Sequence, residues 1–319
     1  MTTLLLGVPD LVSNSYFPAI AAVELGFFKR EGIDASIALI YPSNRTFQAL
    51  RDGSIDFVAA PAHSALAVFP GWRGARLAAA LSQGTYWLLV MDKTLGIARG
   101  DLNGLKGKRI GAAPFVELSF RQLLIDAGFD IERDNIQIVA VPGADEPGVS
   151  FGIAAAKALK AGLLDGFWAN GLGAETSIQD GAGEIVLDVR RGLGPANAFD
   201  YTFPALVTSQ AALERHPDLI QAGVRAVVNA QAALRTDVSL ARMVGEKLFP
   251  AEEAAMIEDV VRRDLPYYTP HISAASFGGL VRFAQARKLL DEDVSYEDAV
   301  GNFWSPVWNT SNAGTPHVN

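Results

Sequence analysis

The 319-residue chain contains no cysteine. That absence removes disulfides, thiolate nucleophiles and thiolate metal sites together, and leaves the redox compartment open. Nor is there an excess of basic charge: 27 Lys and Arg stand against 35 Asp and Glu, a net charge of −8. No basic stripe is there to release counterions from a nucleic acid, so nucleic-acid binding is not expected. A small anionic ligand is still allowed, because a binding site is made by a few local groups rather than by net charge. Half of the residues are hydrophobic, yet no apolar run approaches the ~20 residues needed to cross a bilayer. The composition reads as a soluble globular chain without membrane insertion, long enough for two lobes, each with its own core. The opening "MTTLLLGVPD" has no basic n-region and no small-residue cleavage site. The expectation is a chain that stays in the cytoplasm, or a processed one that carries a new Met. The closing "NTSNAGTPHVN" reads as a frayed tail.

Catalytic and cofactor motifs are missing as well. There is no H-E-x-x-H, EF-hand loop or P-loop, and no G-x-G-x-x-G follows a strand. "GLKGKRIG" has the wrong glycine spacing for a P-loop, and no Ser or Thr follows Lys108. "GVSFG", 148–152, does fit G-x-S-x-G, but that chemistry needs a sharp strand-to-helix turn. The preceding strand should end near Val141, and "PGADEP" intervenes. Ser150 therefore fits a helix N-cap better than a nucleophile. No catalytic residue, metal or cofactor is expected.

Strand and helix patterns alternate along the chain, which points to parallel sheets covered by helices on both faces. Strands are predicted at 3–8, 33–40 and 55–61. "SYFPAIAAVELGFF" reads as a helix that Pro18 opens and Gly26 stops. "PSNRTFQALRDG" reads as a helix with Ser43 as N-cap, and "HSALAVF" as the next helix. The order then repeats. "ALRDGSIDFVAAP" from Ala49 matches "ALKAGLLDGFWAN" from Ala158, with coincidences at Leu50/Leu159, Gly53/Gly162 and Asp56/Asp165. Between the copies, a strand at 87–91 gives way to a glycine-rich connection. A second composition change near 191–203 precedes a strand at 203–208. The remaining C-terminal part is helical, at 211–215, 217–235, 240–248, 251–264 and 273–289, and is expected to pack back onto the first lobe. These shifts predict one lobe from 1–84 and 200–319, and the other from 85–199.

"SYFPAIAAVELGFFKREGIDASI", "ALRDGSIDFVAAP", "GLKGKRIG" and "HPDLIQAGVRAVVNAQAAL" occur in this order. Together they resemble the ABC-transporter solute-binding family that handles nitrate, sulfonates, taurine and pyrimidine precursors. The resemblance spans about 4–289 and implies a type II periplasmic-binding-protein fold: α/β, two lobes with mostly parallel sheets, and two crossovers. It also implies a periplasmic, monomeric binder that clamps a small organic ligand and delivers it to an ABC permease. A cofactor-free enzyme or a cytoplasmic ligand sensor on the same scaffold is the alternative. Pyrimidine-making enzymes of this fold carry a cysteine-rich motif, which this chain cannot reproduce.

Open parallel sheets bind ligands beyond the carboxyl ends of their strands. The candidate ligand residues are taken from those ends. Asn14, Ser15 and Tyr16 either bond a ligand or cap the first helix. Ser43, Asn44 and Arg45 open the next helix, and Arg45 suits a carboxylate or sulfonate. His63 and Ser64 follow the third strand, His63 either bonding a ligand or bonding backbone. Glu117 and Ser119 occupy the matching place in the second lobe. Glu117 departs from the small residues common there, and is expected to stay ionised at a helix N-terminus and to disfavour simple anions. Trp168 and Asn170 read as a stacking platform with a polar partner, or as core. Tyr201 falls at the second crossover.

Overall fold

The computed structural model describes residues 2–300 apart from 12, 147 and 148, with the backbone alone at 252. Two five-stranded sheets organise the chain. The first holds β1 (Thr2–Val8), β2 (Ile33–Leu39), β3 (Phe57–Pro61) and β4 (Ala75–Ala80). The second holds β5 (Leu88–Asp92), β6 (Arg109–Ala112), β7 (Gln137–Val139), β8 (Gly166–Ala169) and β9 (Gly183–Asp188). β10 (Pro204–Ser209) then returns to the first sheet. The spatial orders are β2-β1-β3-β10-β4 and β7-β6-β8-β5-β9. In each sheet one strand, β10 or β5, opposes the other four. The chain therefore crosses between sheets twice, after β4 and after β9, as the resemblance implies.

Both faces of the central strands are covered. On β3, Phe57 and Ala59 enter one apolar cluster while Val58 and Ala60 enter another. Strands buried on two faces read as continuous apolar runs, which is why "FVAAP" shows no polar alternation. The covering helices are α1 (Phe17–Glu24), α2 (Phe27–Arg30), α3 (Ser43–Arg51), α4 (Val116–Asp126), α5 (Phe151–Lys160) and α6 (Gly171–Gln179). The C-terminal part supplies α7 (Gln210–Arg215), α8 (Pro217–Thr236), α9 (Ser239–Leu248), α10 (Ala251–Asp264) and α11 (Ala274–Ala286).

The internal repeat has a physical cause. Asp56 accepts the backbone N–H of Leu5 at 2.8 Å, and Asp165 accepts that of Arg109 at 2.7 Å. Each aspartate thus fastens the first parallel strand of its sheet to the loop before the third. Gly53 and Gly162 end the preceding helices at φ +74° and +70°, a region open to glycine at little cost.

Three local expectations change. Ser43 is the first helical residue rather than the N-cap, because Pro42 is already extended at ψ 174°. "HSALAVF" forms a 3₁₀ turn, Ala62–Ala67, instead of an α-helix. The last helices do not serve the first lobe alone, since α10 also packs against α6 of the second. Ser150 does occupy the N-cap position of α5, although its side chain makes no capping bond. The glycine two residues on has a packing role. A Cβ on Gly152 would lie 2.6 Å from Asn170 Oδ1, and one on Gly173 would lie 2.6 Å from the Gly152 carbonyl oxygen. α5 and α6 therefore cross at glycine-to-glycine distance. This crossing accounts for the second glycine of the serine-elbow pattern; Gly148 lies outside the described residues.

Candidate functional site

A cavity lies where the carboxyl ends of both sheets meet. From the first lobe it is lined by the β1–α1 loop (Asp10, Ser13, Tyr16), by Tyr41 and Ser43 after β2, and by Pro61 after β3. From the second come Ala113, Pro114 and Val116 after β6, Phe151 at the start of α5, and Asn170 after β8. Trp87, on the first crossover, completes the lining. Its volume is about 40 Å³, room for roughly three waters or a few ligand atoms.

The lobes touch each other around this cavity. Asn170 Nδ2 donates to Asp10 Oδ2 at 2.9 Å while its Oδ1 accepts the Gly173 N–H, so one side chain caps α6 and bridges the lobes. His63 is fully buried and spans the same seam. Its Nε2 lies 3.0 Å from the Phe115 carbonyl, which can only accept, and its Nδ1 lies 2.9 Å from Thr202 Oγ1. The Nε2–H tautomer satisfies both contacts, and burial pulls the imidazole pKa down to about 4. Phe115 itself sits at φ +67°, a strained conformation for a residue with a side chain.

Among the described residues, Asp10 is the one charged side chain in the cavity wall, and the lining contains no Lys, Arg or His. Burial raises the phenol pKa values of Tyr16 and Tyr41, and the Asp10 carboxylate adds to both; at Tyr41, pushed to about 12, Asp145 contributes more than Asp10 and Glu117 less. The tyrosines therefore stay neutral donors. Tyr16 OH pairs with Tyr86 OH at 2.6 Å. Ser13 Oγ sits near the Tyr16 phenol, yet makes no hydrogen bond of ordinary length. Five helix N-termini reach the wall, at Tyr16, Ser43, Val116, Phe151 and Asn170. Such ends attract negative charge. Here the chain's own Asp10 carboxylate supplies it at the α6 cap.

Of the sequence-predicted residues, Tyr16, Ser43 and Asn170 line the cavity. Ser64 lies one step behind, bonded to Ser43 at 3.1 Å. Asn44 is half-buried, its Oδ1 without a partner among the described residues, and Arg45 is exposed outside the lining. Asn14 and Ser15 belong to a buried network: both donate to Asp264 Oδ2, at 2.5 and 2.9 Å, and Asn14 Oδ1 accepts the Gly171 N–H. Ser119 and Trp168 are core, joined by Trp168 Nε1–H donating to Ser119 Oγ at 3.1 Å, with Trp168 stacked on Phe120. Tyr201 donates to Asp126 and stacks on Phe283, away from the cavity. Glu117 is half-buried outside the lining, within the fields of Arg121 and Arg287. Burial raises its pKa, outweighing the backbone bonds and those arginines, the reverse of the shift expected from a helix N-terminus alone.

Sequence reasoning did not single out Asp10, Ser13, Tyr41, Trp87 or Phe151. The strand-end rule covers Asp10 and Ser13, which fall in the loop directly after β1. Nothing local marks Trp87, which reads as part of a strand.

Solved structures share this fold. A protein from Bordetella bronchiseptica RB50 matches at TM-score 0.77 and 19% identity, over 97% of this chain and 98% of that one. The periplasmic nitrate-binding protein NrtA from Synechocystis PCC 6803 matches at 0.74 and 14%, over 99% and 90%. The periplasmic aliphatic sulphonate binding protein SsuA from Escherichia coli matches at 0.69 and 15%, over 94% and 97%. The desulfurization enzyme DSZB has the fold too, at 0.64 and 17%, over 97% and 99%. No curated protein matches by sequence. The NMT1/THI5 like family does, over residues 13–237, more than half of the chain. With its paired sheets and inter-lobe cavity, the chain belongs to the NMT1/THI5-like family.

Proposed function

We propose that this protein is a solute-binding component of an ABC importer whose two lobes, 1–84 with 200–319 and 85–199, close over a small organic ligand. The ligand is of a class bearing amine, amide or ring N–H donors. The observation that carries this reading is Asp10: one carboxylate in an aromatic-walled cavity whose described lining offers no cationic side chain to a ligand. A donor group on the ligand gains a charge-assisted hydrogen bond there. A nitrate or sulfonate would meet the Asp10 carboxylate as a like charge. The structural relatives that bind nitrate and sulphonate support delivery of a small solute; the lining argues for a different ligand charge. Tyr16, Tyr41, Ser43 and Asn170 supply neutral polar contacts, and Trp87 and Phe151 supply flat apolar surface. Export to the periplasm, a monomeric state and a permease partner follow from the same reading.

Binding without chemistry fits the residues. Ser150 lies well past the end of β7 at Val139 and so lacks the strand-to-helix elbow that exposes a nucleophile. A thermal-shift screen tests the proposal. Small amines, amides and N–H heterocycles should raise the melting temperature by mass action, and nitrate, sulfate and methanesulfonate should not. Stabilisation by the anions alone would refute it.

A further inference from the structure

A second, larger chamber of about 340 Å³ has Asp10 in its wall, as the inner cavity does. Its walls mix apolar and charged side chains, and the apolar ones come from both lobes: Leu39 at the end of β2, Leu248 at the end of α9 and Phe249 just after it on one side, and Ile153 of α5 on the other. Leu39 is 42% exposed, apolar surface set at the mouth of a cleft rather than in a core. At the N-terminus of α5, Ser150 Oγ is buried in this wall without a hydrogen-bond partner among the described residues. Lys157 and Glu253 complete the chamber with one charge of each sign.

We infer that this outer chamber is a subsite for the apolar tail of the ligand whose donor head sits at Asp10. The inference rests on the donor-ligand reading above and extends it to a bipartite class, an amine or N–H head carrying an aliphatic chain. Size points this way. The inner cavity, at about 40 Å³, holds only a few atoms, so a ligand of ordinary organic size must extend past Asp10. Asp10 is the shared border, so a head bonded to its carboxylate leaves its substituent facing the outer walls. Because those walls belong to both lobes, tail burial also favours closure. The balanced Lys157 and Glu253 add no net charge that would select an anionic tail.

A homologous series of n-alkylamines from propylamine to octylamine, titrated by calorimetry at pH 7, tests this. Each added methylene should tighten binding roughly fourfold until the chamber is filled. Ile153→Trp, which narrows the chamber, and Leu39→Ser, which removes apolar wall at an exposed position, should each flatten that dependence. Equal affinity for propylamine and octylamine, or a dependence unchanged in both variants, would overturn the subsite while leaving the donor reading standing. If no amine binds at all, both fall.

Discussion

Replacing Arg190 by methionine should lower the melting temperature by about 4–8 °C. Arg190 follows β9 at the second crossover, and its side chain is 4% exposed; Asp264, at the end of α10, is 8% exposed. The guanidinium donates to Asp264 Oδ2 at 2.8 Å, Ser82 Oγ at 2.6 Å, the Gln83 carbonyl at 2.9 Å and Ser15 Oγ at 3.2 Å. It thereby ties both crossovers to the first helix loop and to α10, and it lies 4.8 Å from the Tyr267 ring centre. Methionine keeps much of the volume and none of the donors. Asp264 would retain Asn14 and Ser15 but lose its counter-charge, and the Gln83 carbonyl would lose a partner. Breaking a buried ion pair from one side costs ~3–5 kcal/mol, whereas replacing both partners by apolar residues costs much less. An unfolding entropy of ~2.1 cal/mol/K per residue makes each kcal/mol worth about 1.5 °C in a chain of this length. Scanning calorimetry of Arg190→Met, Asp264→Leu and the double variant measures all three. A single-variant shift below about 1 °C, or a double variant costing the full sum of the singles, would refute the uncompensated-charge argument.

Two further outcomes are expected. His63 is held neutral by burial, with a folded pKa of about 4 against 6.5 for the free side chain, so the unfolded chain takes up a proton that the folded one refuses. The stability this neutral form provides is fully present above pH 6.5 and is lost as pH falls, about 3 kcal/mol by pH 4. The raised carboxyl groups of Glu117, Asp200 and Glu253 act in the opposite sense, but equally in wild type and His63→Gln. Denaturant titrations of the two proteins at pH 7 and pH 4 should therefore show the smaller acid loss in His63→Gln. Gly173→Ala puts a methyl 2.6 Å from the Gly152 carbonyl oxygen, which should cost ~1–3 kcal/mol and pull Asn170 away from Asp10, weakening ligand binding as well. A variant with unchanged melting temperature and affinity would show that α5 and α6 separate freely.

The alternation of elements was legible because each depends on local signals. Gly53 and Gly162 mark helix ends by backbone freedom alone, and Asp56 and Asp165 recur because each fastens a strand to its own sheet. The rim of the site was legible through the strand-end rule, which led to Tyr16, Ser43 and Asn170. Its charge was not. Glu117 and Asp10 both come shortly after a strand and a proline, and sequence cannot say which carboxylate turns toward the cavity. That depends on helix rotation: α4 presents Val116 to the cavity and Ser119 to Trp168, which leaves Glu117 near Arg121 and Arg287. Likewise Asn14 and Ser15 are drawn away by Asp264, a residue 250 and 249 positions later, a distance over which no local pattern operates.

The most direct test of the account is calorimetric titration of wild type and Asp10→Asn with the tightest-binding amine or N–H heterocycle and, separately, with nitrate. Truncating a buried charge-assisted bond typically costs ~2–5 kcal/mol, so the variant should bind the donor ligand at least about 30-fold more weakly. Nitrate should be ignored by wild type and gain, if anything, from loss of the carboxylate. Equal donor affinity in the two proteins, or tight nitrate binding by wild type, would contradict the assignment of Asp10 as the group that selects the ligand.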